Sequence, residues 1–270
     1  MKKHVQAIAS AALLGASGYA MALDIGGLDM PAGPNLHVAS VFENVITGQG
    51  QELSGYGEVS QINGVNISSL CAGCELTYRF GGYMVTSLSP TDISFSGGYI
   101  NFYLGFGGDA DFNPFTSPDS ATDLAAATNG SLFLTLAGHD IDAAGNTFGG
   151  SGNNIGGPNA AGNGAGLASV DFTGMMNGNT AGAGAIANVY FDTDTILAAF
   201  GGGNADVQLG SSFSNVFLPH PGECPGGPAC LTGSTDMRGV VGAIPEPQTY
   251  ALMLGGLGIV GFVARRRRRL

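Results

Sequence analysis

Oxygen donors recur at every second position in three short runs. These are Asp109-x-Asp111-x-Asn113, Asp140-x-Asp142 followed by Gly145 and Asn146, and Asp192-x-Asp194. Donors spaced this way on a tight loop can converge on one hard cation, and calcium takes such oxygen ligands. The second run places glycine at the sixth position from Asp140, where an EF-hand loop turns sharply. Its twelfth position is Ser151, and that of the first run is Ser120, so neither supplies the closing glutamate and none is an EF-hand. The competing reading is that these aspartates cap turns and solvate loops. Calcium at Asp109, Asp111, Asn113, Asp140, Asp142, Asp192 and Asp194 is thus one expectation, and no other cofactor is expected.

The four cysteines form two close couples, Cys71 with Cys74 and Cys224 with Cys230. Two such pairs in a cytosolic protein suggest zinc; in an oxidising compartment they suggest disulfides, and the export features below favour the latter. The loops they close are short, so each bridge stiffens a turn more than it stabilises the whole fold.

Signatures of catalysis are sparse. No lysine follows Lys3, which removes a P-loop lysine and a Schiff-base lysine. Neither His-Glu-x-x-His nor Gly-x-Ser-x-Gly occurs, and His37, His139 and His220 share no motif. Gly105-Phe106-Gly107-Gly108 lacks the strand–turn–helix setting of a dinucleotide fingerprint. Between the two ends, two arginines, Arg79 and Arg238, stand against nineteen acids, a net charge of −17. So acidic a body repels nucleic acid phosphates, and a nucleic acid partner is excluded.

The ends carry addresses. Lys2 and Lys3 precede an apolar stretch, and Ala20-Met21-Ala22 supplies the small–x–small pattern of a signal-peptidase site, so residues 1–22 read as a signal peptide and Leu23 as the first mature residue. At the other end stands the rigid tripeptide Pro245-Glu246-Pro247, in which each proline fixes its own φ and restricts its predecessor. An uncharged, glycine-containing run over residues 250–264 follows, then Arg265, Arg266, Arg267, Arg268 and Arg269. Fifteen helical residues reach only about 22 Å against a hydrocarbon core of about 30 Å, so the span over residues 249–264 needs bilayer thinning and snorkelling arginines. The arginines stay in the cytoplasm, which leaves the acidic body outside.

This trio resembles the PEP-CTERM sorting signal, and residues 245–269 follow that pattern throughout. The resemblance implies a Gram-negative bacterium. It also implies an exosortase partner, a membrane-embedded cysteine protease that cuts near the tripeptide and releases or transfers the body. Proteins of this kind are linked to exopolysaccharide and biofilm. The resemblance covers about a tenth of the chain and does not reach the body.

The body reads as strands, because β-branched and aromatic residues recur in short runs between Gly, Asn, Asp and Pro. Candidates are residues 36–46, 52–62, 75–80, 83–88, 99–106, 131–137, 168–173, 185–191, 206–209 and 212–218. Asn63-Gly64 between apolar residues marks a hairpin, and residues 120–127 allow a short helix with Ser120 as its cap. Ten short strands predict an all-β sandwich of jelly-roll type over residues 23–225. Residues 149–166 read as a Gly-rich flexible loop and 226–244 as a linker to the sorting signal.

Two function classes follow. One is a non-enzymatic structural or adhesive protein of the surface or extracellular matrix, binding exopolysaccharide or its own copies. The other is a secreted polysaccharide-active enzyme of glycoside hydrolase or lyase type, which would need two facing carboxylates in a cleft.

Overall fold

The computed structural model describes residues 23–31, 36–157, 159–171, 182–200, 203–214 and 230–239. Twelve strands and three short helices follow the order β1 (Leu23–Ile25), β2 (Leu28–Met30), β3 (Leu36–Asn44), β4 (Glu52–Ile62), β5 (Val65–Asn66), α1 (Ile67–Leu70), β6 (Cys74–Leu88), β7 (Asp92–Phe106), α2 (Ser120–Ala126), β8 (Ser131–His139), β9 (Asn146–Asn153), β10 (Ala161–Val170), α3 (Gly182–Phe191), β11 (Val207–Ser214) and β12 (Cys230–Gly239).

The all-β expectation is met, but as one closed barrel of eight strands rather than a jelly-roll sandwich. Each stave pairs antiparallel with the next in chain order, and β12 returns to β3 to close the ring. β8 and β9 share one position in tandem. β8 lies between the second half of β7 and the end of β10, and β9 between the first half of β7 and the start of β10. Closure leaves no unpaired edge in the ring, and an eight-strand lumen is just wide enough to be filled by side chains. Leu76, Tyr78, Phe80, Phe102, Leu134 and Leu136 belong to the buried core cluster that fills it.

Three readings of the sequence are corrected. The segment read as a linker contains β12, which buries Leu231 and Met237 and seals the barrel between β11 and β3. The Gly-rich stretch read as a flexible loop forms most of β9 and β10. There the glycines make room for Phe148, since a Cβ at Gly164 or Gly166 would meet its ring. Residues 185–191 form most of α3 instead of a strand, because Ala187, Tyr190 and Phe191 fall on one helical face and are all buried.

Other expectations land close to their mark. β4 spans the predicted residues, and 75–80 with 83–88 fuse into the single strand β6. The Asn63-Gly64 turn has φ of 52° and 79°, the positive values a tight hairpin needs. α2 starts at Ser120, but its cap is Asp119, whose side chain accepts from the Thr122 amide at 2.7 Å.

One end of the barrel is plugged. The β1–β2 hairpin begins at Leu23, the residue after the expected signal-peptidase site, and buries Ile25, Leu28 and Met30 completely or nearly so. At the same end His37 meets the Phe191 ring edge-on at 5.8 Å. The connection from β7 to β8 folds over the outside, where Phe112 and Ala127 cover Phe42 and Tyr56.

Candidate functional site

The three acidic runs meet different fates. In the first, Asp109 and Asp111 are exposed; Asp111 accepts from the Asn129 side-chain amide at 3.0 Å, and Asn113 accepts from the Phe115 amide at 3.3 Å. In the second, Asp142 wraps its own turn. One oxygen accepts from the Ala144 and Asn146 amides at 2.9 and 3.1 Å, and the other from the Asn146 side chain at 2.7 Å. The Asn146 side chain first, then those amides, hold the Asp142 carboxyl below its usual range. Asp140 stands beside this turn, half-buried. Asn113 and Asp142 thus brace their own turns, a use such residues have in loops generally, and Asp111 ties its loop to Asn129.

Only the third run gathers. Asp192 and Asp194 lie between α3 and β11, and with Asp206 each places a carboxylate oxygen within 4.8 Å of the others. Asp206 is buried and braces the loop: one oxygen accepts from the Thr193 and Asp194 amides at 2.6 and 2.7 Å, the other from the Val170 amide at 2.8 Å. Backbone bonds between Ile196 and Ala205 close the loop. Burial, then the charges of Asp206 and Asp194, push the Asp192 carboxyl up. Sequence reading missed Asp206, which lies beyond any local spacing and is brought in by the return of the chain into β11.

Cys71 is bonded to Cys74 across the corner between α1 and β6, with Cα atoms 5.7 Å apart. The bridge pins the start of a central barrel strand. Cys224 and the side chain of Cys230 lie outside the described residues.

The lumen holds what composition could not show, a buried acid. Glu43 on β3 is 7 % exposed, and burial raises its carboxyl to about 8, so it is largely protonated at neutral pH. Two cavities, of about 40 and 60 Å³, both touch Glu43, Leu53, Phe148 and Ser211. Tyr83 is among the residues that line the larger one; its hydroxyl is buried and has no hydrogen-bond partner. On the outer wall Glu75 accepts from the Phe112 amide at 2.9 Å, and burial raises it to about 7. His37, at the plugged end, is lowered to about 4 by burial.

The expected signal peptide with Ala20 and Ala22, and the C-terminal segment with its expected membrane span, lie outside the described residues. Among the described residues no helix is long and apolar enough to cross a membrane.

Fold and site together define a closed, acid-braced β-barrel with an apolar lumen. Residues 243–269 match the PEP-CTERM protein-sorting motif. That motif implies exosortase processing, export and sorting toward the cell surface. No curated protein and no solved structure matches the chain.

Proposed function

We propose that the mature chain is a non-enzymatic surface or extracellular-matrix protein, whose barrel is a rigid adhesive module for exopolysaccharide. One observation carries the reading. A row of short polar side chains crosses six paired strands on the outside of the barrel: Asp92, Ser151, Asn163, Ser212, Ser234 and Ser40 sit opposite one another in register. Strand spacing of about 4.8 Å sets hydroxyls and an amide along the row at intervals comparable to the groups of a glycan chain. Shallow depressions of about 510 and 420 Å³ lie along it. At one end Phe115, 74 % exposed, stands edge-on to Phe42 at 6.4 Å. An exposed ring there can stack on an apolar sugar face.

The non-enzymatic part is supported by how the acids are used: Asp24, Asp119, Asp123, Asp142 and Asp206 all accept hydrogen bonds from nearby backbone or side-chain groups. Calcium is carried forward at Asp192, Asp194 and Asp206 alone, where the three carboxylates gather.

The test is retention of the exported protein on exopolysaccharide purified from its own host. Phe115→Ala is expected to weaken retention about five- to tenfold, at the scale of one lost stacking contact. Passage of the unmodified protein without retention would overturn the adhesive reading.

A further inference from the structure

We propose that the plugged end of the barrel is a membrane-docking surface, where Val189, Leu197 and Phe200 enter the headgroup region of a zwitterionic phospholipid bilayer while the C-terminal span anchors the precursor. The inference rests on the expected span over residues 249–264. It stands apart from the polysaccharide reading, which concerns the outer wall of the barrel.

Three observations converge. First, exposed apolar groups gather at this end. Val189 on α3 is 62 % exposed, and Leu197 and Phe200 in the loop that follows are 83 % and 44 % exposed. Phe106 ends β7 beside Gly27 of the plug hairpin and is exposed as well. Among the described residues only Met84 and Phe115 are comparable elsewhere. Apolar side chains scattered singly over a surface need no explanation, whereas several at one end mark an interaction surface.

Second, the fold holds them in place. α3 packs against β1 and β8, and its Phe191 meets His37 at the start of β3. Backbone bonds between Ile196 and Ala205 pinch the base of the loop that carries Leu197 and Phe200. Asp206 ties that base to β10 through the Val170 amide.

Third, the chain leaves the barrel beside this loop. Gly239, the last residue of β12, pairs with Val207, and a Cβ on it would lie 3.2 Å from the Asp206 carbonyl oxygen. Only residues 240–248 separate it from the expected span. Fully extended, they reach about 30 Å. A fifteen-residue strand such as β7 is about 50 Å long, or about 35–40 Å of barrel height at the usual tilt. The tether therefore keeps the plugged end, and not the opposite one, against the bilayer.

Charge selects the lipid. Asp192 and Asp194 are exposed in the same loop, and Arg238 at the end of β12 is paired with Asp236 at 3.3 Å. Anionic headgroups are repelled by such a surface, which leaves zwitterionic ones. Three side chains are too few to hold a free barrel on a membrane. A short tether raises their effective concentration at the bilayer, so a weak contact suffices to orient the body. Docking in this way also keeps Pro245-Glu246-Pro247 near the headgroups, within reach of a membrane-embedded protease.

The chain contains no tryptophan, so one introduced indole reports its own surroundings. The test reconstitutes the full-length chain in phosphatidylcholine vesicles whose acyl chains carry bromine at a shallow or a deep position. Leu197→Trp and Phe200→Trp are compared with Thr91→Trp, an exposed position between β6 and β7 at the opposite end. The two loop reporters are expected to emit at shorter wavelength than the control. Shallow bromines should quench them roughly twofold more than deep ones, because interfacial groups sit only about 5–10 Å into the headgroup boundary. Quenching of both reporters no greater than that of Thr91→Trp overturns the proposal. Short-wavelength emission that bromine leaves untouched also overturns it, and assigns the patch to the chain's own C-terminal residues. A wavelength shift that appears only at high protein density, without quenching, assigns the patch to a second copy and overturns it equally.

Discussion

The Tyr56 hydroxyl donates to Oδ2 of Asp123 at 3.0 Å, joining a barrel strand to helix α2 from 67 residues away. Both residues are nearly completely buried, and Ser117 donates to the other Asp123 oxygen. Burial, then Asp123, hold the Tyr56 proton in place far above its ordinary value, so the phenol acts as a donor throughout the physiological range. This bond fastens the long β7–β8 connection over the outside of the barrel.

Tyr56→Phe leaves Asp123 short of one donor while keeping the ring that stacks on Phe42. A loss of about 1–3 kcal/mol is expected, the cost of a buried acceptor stripped of its partner. Denaturant unfolding measures it. Asp123→Asn in the same background should recover part of the loss, because a neutral amide is cheaper to leave buried.

Stability should be greatest on the acid side of neutrality. Glu43 and Glu75 are raised from 4.5 to about 8 and about 7 by burial, so their contribution is complete below about pH 4.5 and is lost as pH rises through 7 to 8. His37 is lowered from 6.5 to about 4 by burial, so its contribution is complete above 6.5 and is lost as pH falls through 4. Between those limits the two glutamates outweigh the one histidine. The melting temperature should therefore peak near pH 4.5 and decline toward pH 8. Glu43→Gln should flatten the alkaline limb, and an unchanged limb would refute the assignment to Glu43.

Calcium at the third acidic run has a direct readout. If Asp192, Asp194 and Asp206 hold the ion, millimolar calcium should raise the melting temperature relative to chelator, and Asp194→Asn should remove the rise. Asp111→Asn and Asp142→Asn should leave the calcium response unchanged, because Asp111 already accepts from Asn129 and Asp142 from Asn146.

Processing leaves a mass signature. Protein recovered from the surface of the native host should begin at Leu23 and lack residues 265–269, read by N-terminal sequencing and intact mass. A surface form that retains the arginines would contradict exosortase processing.

Local chemistry made much of this protein legible in advance. The sorting motif at the C-terminal end is contiguous, so it needs no fold to be read, and Pro245-Glu246-Pro247 with its basic end was visible directly. The Asn63-Gly64 hairpin and the strand Glu52–Ile62 were equally visible, because turn residues and β-branched runs act over a few positions. What the tertiary structure alone decided depends on partners distant in the chain. Gly-rich β9 and β10 become staves because Phe148 fills the space their missing side chains leave, and residues 230–239 become a stave because β11 and β3 both need a neighbour. Glu43 reads as one more surface acid until closure turns its side of β3 inward, and Asp206 joins Asp192 and Asp194 only when the chain returns into β11. Closure of a barrel is a global condition, met by pairing the ends of the sheet, and a local residue pattern specifies strands without specifying whether their last edge finds their first.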